Sequence, residues 1–220
     1  MDDDTNTRQQ RGWMVARQLA ARGIRDARVI EAMGRIPRHA FVAAAMRGEA
    51  YEDSPLPIEE GQTISQPYIV ALMLQEARLG ADDRMLEVGA GSGYASAAAS
   101  LLAAHVVAIE RHAGLAASAA ERLARLGFAT VEVHHADGSG GCPDGAPFDA
   151  ILVAASGPRV PEALRDQLAL GGRLVMPVGS SVWQQRLVRL TRRGDAAFDE
   201  EDLGGVVFVP LVGEHGWPAA

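Results

Sequence analysis

The 220-residue chain has a single cysteine, Cys142, which excludes an internal disulfide and with it the stapled scaffolds of small secreted domains. It has no run of about 18 apolar residues free of charges or polar breaks. The alanine-rich stretch from Ala95 to Ala104 is too short and too weakly apolar to span a bilayer, so membrane insertion is excluded. Positive charge is in deficit: 21 Lys and Arg against 28 Asp and Glu leave a net charge of -7, and a body of that sign repels a phosphate backbone. An open nucleic-acid groove is therefore disfavoured. The first residues, Met1-Asp2-Asp3-Asp4-Thr5, are acidic where a secretory leader carries a basic and then an apolar region, which predicts a cytoplasmic protein. There is no internal repeat and no low-complexity linker. What is present is the composition of a globular domain, 48% hydrophobic and 22% charged. A chain of this length buries roughly 70% of its unfolded surface, and one domain over residues 1–220 is the simplest count.

Helical spacing dominates the first fifty residues: Trp13, Ala16 and Ala20 share a face between Arg8 and Arg22, as do Val29, Ile30 and Met33 between Asp26 and Met33. Pro37 breaks the pattern. Asp53-Ser54-Pro55-Leu56-Pro57-Ile58 is extended, because two prolines one residue apart forbid helix. Pro67 suits the first turn of a helix with Ile69, Leu72, Met73 and Ala77 on one face, ending near Gly80, so Ser65 lies at a helix mouth. Residues 1–80 thus read as a helical, substrate-side extension and residues 81–220 as a cofactor-binding core.

In the core, strands alternate with helices, the pattern of a mostly parallel sheet covered on both faces. Strands are expected at Met85 to Val88, Val106 to Ile109, Val131 to His134, Ala150 to Val153, Leu174 to Val178, Arg186 to Leu190 and Val206 to Leu211. Helices are expected at Tyr94 to Ala104, Leu115 to Leu126 and Pro161 to Leu168. The polar stretch Arg192 to Asp202 reads as a hairpin loop, its acids Asp199-Glu200-Glu201-Asp202 solvated, which makes the far edge of the sheet antiparallel.

Leu86-Glu87-Val88-Gly89-Ala90-Gly91-Ser92-Gly93-Tyr94 follows an expected strand and opens an expected helix, the context of a cofactor-binding turn. Its spacing is G-x-G-x-G, with Tyr94 where the dinucleotide fingerprint has its last glycine, so a pyrophosphate clamp is the weaker reading. Gly89, Gly91 and Gly93 permit positive φ and let backbone N–H groups approach a ligand. Glu87 repels phosphate and attracts an ammonium. Glu110, 19 residues after Gly91, is placed to accept both hydroxyls of a ribose, and Asp137-Gly138 follows the third strand, where a carboxylate can meet an adenine amino group. Loop and acids together describe a nucleoside bearing an amino acid, S-adenosyl-L-methionine. The plainer alternative is that each acid caps a turn or a helix.

With these, Gly61-Gln62-Thr63-Ile64-Ser65-Gln66-Pro67-Tyr68, Ala146-Pro147-Phe148-Asp149, Gly171-Gly172-Arg173-Leu174-Val175-Met176-Pro177-Val178-Gly179 and Phe208-Val209-Pro210-Leu211 make the chain resemble the bacterial protein-L-isoaspartate O-methyltransferases from about Arg8 to Trp217. The resemblance implies a Rossmann-like class I S-adenosylmethionine-dependent methyltransferase fold with seven strands and an N-terminal helical extension. It also implies methyl transfer to the free α-carboxylate of L-isoaspartyl residues in damaged proteins and peptides, the ester then closing to a succinimide unaided. By the same resemblance Ser65 takes the active-site role with Thr63 and Ile64 beside it, Glu110, Asp137 and Gly138 contact the cofactor, and Gln185 lies near the pocket. The chain departs from the family pattern at Ala90 and Ala95, which implies one or two fewer hydrogen bonds, and at Ala154, to which the resemblance carries over no polar contact.

The chemistry agrees on independent grounds. A carboxylate with a pKa near 4 is ionised at neutral pH, so displacement on a sulfonium needs alignment rather than a general base. Ser65 is then an orienting donor. His39, His105, His112, His134, His135 and His215 are scattered and form no triad with it. His134-His135 point to opposite faces of a strand, Cys142 with Asp144 lacks zinc spacing, and no metal is expected. Trp13, Trp183 and Trp217 receive no role. No obligate protein partner is indicated. Two other readings stand beside this one: a peptide-tailoring aspartyl methyltransferase, and a non-catalytic cofactor binder.

Overall fold

The computed structural model describes residues 4–181 and 184–218, so Asp2, Asp3 and Trp183 lie outside the described residues. Asp4 is a helix cap: its carboxylate accepts from Thr7 N–H at 2.7 Å and starts α1 (Thr5–Trp13). The helix tightens and loosens through a π turn (Met14–Leu19) and a 3-10 turn (Ala20–Arg22), stopping where Gly23 adopts φ 99°. Asp26 caps α2 (Ala27–Arg35) in the same way. The proline-punctuated segment forms a short antiparallel hairpin, β1 (Leu56–Pro57) against β2 (Thr63–Ile64). Its turn places Glu60 at φ 57°. Pro67 then opens α3 (Pro67–Ala77), with Ser65 between β2 and the helix.

The core follows as β3 (Arg84–Val88), α4 (Tyr94–Ala99), β4 (His105–Glu110), α5 (Ala113–Arg125), β5 (Val131–His135), β6 (Phe148–Val153), α6 (Glu162–Asp166), β7 (Leu168–Ser181), β8 (Gln184–Arg192) and β9 (Phe198–Val206). The described strands of the large sheet run β5-β4-β3-β6-β7-β8-β9, parallel through β7 and antiparallel beyond it. The pleat sends successive side chains to opposite faces. Met85 and Val106 join Met14, Leu19, Met33 and Leu74 in one core, so the N-terminal helices pack directly on the sheet. Leu86 and Val107 join Ile151, Leu164 and Leu174 on the other face.

Two expectations need correction. The last strand is not Val206 to Leu211 but β9, and the later part of the stretch expected as a loop, Phe198 to Asp202, lies in it. The acids are held on an exposed edge strand by arginines across the ladder: Arg186 Nη2 meets Glu200 at 2.8 Å, Arg193 Nε meets Asp199 at 2.6 Å, and Arg189 pairs with Glu201. The helix after the glycine loop ends at Ala99 rather than Ala104, with Ser100 Oγ donating to Ala97 O at 2.8 Å.

Arg189 is 3% exposed and also pairs with Glu76 of α3, so one guanidinium ties the sheet edge to the helix that Ser65 precedes. Arg189→Met should keep the packing volume but strand Glu76 against the sheet, at a cost of about 3 kcal/mol. Thermal unfolding should then begin roughly 6–12 °C lower. An unchanged Tm would show that the pair carries no net stability.

Candidate functional site

In open α/β sheets ligands bind beyond the carboxyl ends of the strands, where the chain order reverses. Here β3 lies between β4 and β6, which is such a reversal. A cleft lies over the ends of β3 and β4, the place where small-molecule sites of this fold form. Thr63, Ile64, Ser65, Glu87, Gly89, Gly91, Glu110 and Gly138 all line it. Gly93 lies beneath as the N-cap of α4.

The loop has its shape because Gly89, Gly91 and Gly93 adopt φ of 88°, 52° and 85°. It is fastened to β4: Gly89 and Ala90 N–H donate to Ile109 O at 2.8 and 3.0 Å. Glu110, 5% exposed, accepts from Gly91 N–H through Oε2 and from His112 N–H through Oε1, each at 2.9 Å. One carboxylate thus holds the middle of the loop and still faces the cleft. At Gly138 an added Cβ would come within 2.7 Å of Val88 Cγ1, so the cleft floor needs glycine there.

Glu87 is 1% exposed and accepts a short hydrogen bond from Ser96 Oγ. Burial pushes its pKa up to about 8; the Ser96 hydrogen bond opposes this and the Glu110 carboxylate adds to it. No cation among the described residues pairs with it. Asp137 lines not the cleft itself but an open pocket beside it that shares Arg111 and Val212 with the cleft. Its carboxylate accepts from Ser139 N–H and from Glu214 N–H, both at 2.9 Å, so it caps the turn after β5 and fastens the C-terminal segment. Burial raises its pKa, but those donors outweigh burial and hold it below the ordinary value. The capping alternative describes this side chain.

A second, open groove lies beside the cleft, lined by Pro55, Ile69, Gln185 and Val206 to Val209 among others. Cleft and groove share four residues, Thr63, Ser65, Ala154 and Val209, which form a neck between them. No described residue holds the Ser65 hydroxyl by hydrogen bond. Gln185 lines the groove, but its amide is engaged at both ends by the Phe208 backbone, at 2.7 and 3.0 Å. Ala90, Ala95 and Ala154 all line the cleft, so these departures from the family pattern fall on its wall.

The sequence reading missed Ser96, His112 and the wall from Val209 to Val212. His112 follows Glu110 at the rim and faces Glu60 of the hairpin turn at 3.8 Å. A signal for the wall existed in the apolar run Val206 to Leu211, which was read as a strand.

The family described as protein-L-isoaspartate(D-aspartate) O-methyltransferase matches residues 10–216. A protein-L-isoaspartate O-methyltransferase of Rhodopseudomonas palustris is 57% identical over 204 residues, covering 93% of this chain and 94% of that one. A solved protein-L-isoaspartate O-methyltransferase superposes with a TM-score of 0.84 at 28% identity, over 95% of this chain and 67% of that one. A Plasmodium falciparum structure of the same description, in complex with S-adenosyl-L-homocysteine, gives a TM-score of 0.78 at 27% identity over 90% and 96% of the two chains.

Proposed function

The chain belongs to the protein-L-isoaspartate(D-aspartate) O-methyltransferase family, and we propose that it methylates the free α-carboxylate of L-isoaspartyl residues, and more weakly D-aspartyl residues, in damaged proteins and peptides. The observation that carries this reading is the neck: the cleft over the glycine loop and an open groove meet at Thr63, Ser65, Ala154 and Val209.

The residues present fit S-adenosyl-L-methionine. Glu87 is a buried carboxyl with no cation opposite it among the described residues, as an incoming ammonium requires, and Glu110 is a prearranged acceptor for ribose hydroxyls. When bound, the cofactor supplies an electrophilic methyl on a sulfonium. The chain's own residues then orient and exclude water. Gly89 and Gly91 would bring backbone N–H groups to the cofactor's amino-acid end, and Gly138 would leave space at its adenine end. Asp137 serves that end by holding Glu214 N–H and the wall beside it. Thr63 and Ile64 border the acceptor, and the Ser65 hydroxyl donates to its carboxylate. A carboxylate already ionised at pH 7 needs no base, so aligning oxygen, carbon and sulfur at about 3 Å supplies the acceleration.

Residues 1–80 contribute Thr63 to Ser65 to the acceptor side, and residues 81–220 supply the cofactor side and the rest of the acceptor groove. No helix among the described residues is long and apolar enough to cross a membrane. With one cysteine and a net charge of -7, a cytoplasmic setting and protein rather than nucleic-acid substrates are the reading we favour.

Labelled cofactor with paired peptides should leave a base-labile methyl ester on the isoaspartyl peptide and none on its aspartyl twin. Equal labelling would favour a peptide-tailoring enzyme. Binding without turnover would favour a non-catalytic relative. Ser65→Ala should lower kcat/KM for the isoaspartyl peptide by about 10–100-fold, the worth of one oriented hydrogen bond to a charged group. Calorimetric affinity for S-adenosyl-L-homocysteine should stay within about threefold, since that hydroxyl serves the acceptor.

A further inference from the structure

The ladder between β8 and β9 ends at the pair Gln185 and Val206. Two residues on, Phe208 has left the sheet, and its backbone groups find no strand partner among the described residues. The side chain of Gln185, 7% exposed, takes the strand's place. Phe208 N–H donates to Gln185 Oε1 at 2.7 Å, and Gln185 Nε2 donates to Phe208 O at 3.0 Å. The amide imitates one further backbone rung, with donor and acceptor both matched. Beyond it Ser156 takes over: its N–H donates to Val209 O and its carbonyl accepts from Leu211 N–H, each at 2.8 Å. The indole of Trp217 donates to the same carbonyl at 2.8 Å. Phe208 to Leu211 is therefore a wall hung between two anchors. Val209 faces both cleft and groove, while Pro210 and Leu211 face the cleft alone.

We infer that Gln185 is a positioning residue for methyl transfer: by holding Phe208 at both backbone groups it fixes the wall between cofactor cleft and acceptor groove, and so sets where carboxylate and methyl meet. This rests on the proposed function for the methyl transfer, though not for the cofactor side of the wall. It gives Gln185, expected near the pocket as a substrate-binding residue, a role that acts through Phe208 instead.

Gln185→Glu gives the sharpest test. An ionised carboxylate accepts from Phe208 N–H but turns a charge on Phe208 O, whereas the protonated acid restores donor and acceptor together. The described residues lining the groove include no other acid or base. The ratio of variant to wild-type kcat/KM should rise by about tenfold or more between pH 8 and pH 6, and the ratio of affinities for S-adenosyl-L-homocysteine should rise in parallel. A ratio flat with pH in both measurements overturns the inference. Gln185→Ala should raise the peptide KM and the S-adenosyl-L-homocysteine Kd together, each by about 5–20-fold. A rise in the peptide KM alone assigns a direct substrate contact and overturns it, as does no change in either. If circular dichroism finds Gln185→Ala unfolded, the Gln185→Glu pH series decides. Wild-type enzyme that methylates no isoaspartyl peptide sinks the proposed function, and the affinity ratio still judges the wall.

Discussion

Replacing Glu110 by glutamine should weaken S-adenosyl-L-homocysteine binding by about 100-fold, as much as replacing it by alanine, although glutamine is nearly isosteric. The reason is the number of acceptors. Each Glu110 oxygen accepts from a different backbone N–H, Gly91 on one side and His112 on the other. An amide has one oxygen, so its NH2 must face one of those donors, in a position that is 5% exposed and poorly reached by water. An unmatched buried donor costs roughly 1–3 kcal/mol, and the negative charge that strengthens hydrogen bonds to ribose hydroxyls is lost as well. Alanine removes the charge but leaves no opposed donor and opens space for water. Calorimetric titration of the three proteins decides the matter. A glutamine variant that binds within about fivefold of wild type would mean that shape, not charge and paired acceptance, is what Glu110 provides.

Those contacts also explain which parts of the site were legible in the sequence. Gly89 to Gly93 stood out because a strand, a run of glycines and a helix start are local signals, and three positive φ angles are what such a run permits. Glu110 was found from its 19-residue spacing to Gly91, since one crossover brings the ends of adjacent parallel strands together. That β3 to β7 run parallel was legible for the same reason. Asp137 was placed correctly after a strand, but its carboxylate is occupied by Glu214 N–H, 77 positions away, and no local pattern carries that information. The edge strand failed in a similar way. Four consecutive acids look like a loop until Arg186, Arg189 and Arg193 are seen opposite them, and the apolar run after β9 looks like a strand until it is seen to roof a cleft. Ser96 gave no warning, being a small residue on a short helix whose role exists only through Glu87.

Glu87 leads to the second large effect, on both stability and binding. Its pKa in the folded chain stands at about 8 against 4.5 for an ordinary glutamate, so between those values the folded protein keeps a proton that the unfolded chain has lost. Stability from this group is complete below about pH 4.5 and is lost as pH rises toward 8. The ligand-free protein should lose roughly 3 kcal/mol between pH 5 and pH 8, which lowers Tm by about 6–12 °C. Glu87→Gln keeps a neutral, hydrogen-bonding side chain and should flatten that slope. An ammonium reaching the cleft gives the buried carboxylate the cation it lacks, and Glu87 should then release its proton. Titration of S-adenosyl-L-homocysteine at pH 7 in buffers of different ionisation enthalpy should report close to one proton released by wild type and none by Glu87→Gln. The Glu110 carboxylate contributes to raising the Glu87 pKa, so Glu110→Gln should release a smaller fraction at the same pH. Wild-type binding with no dependence on buffer would show that Glu87 is already ionised before the ligand arrives, and the ammonium would then need another counter-ion in the cleft.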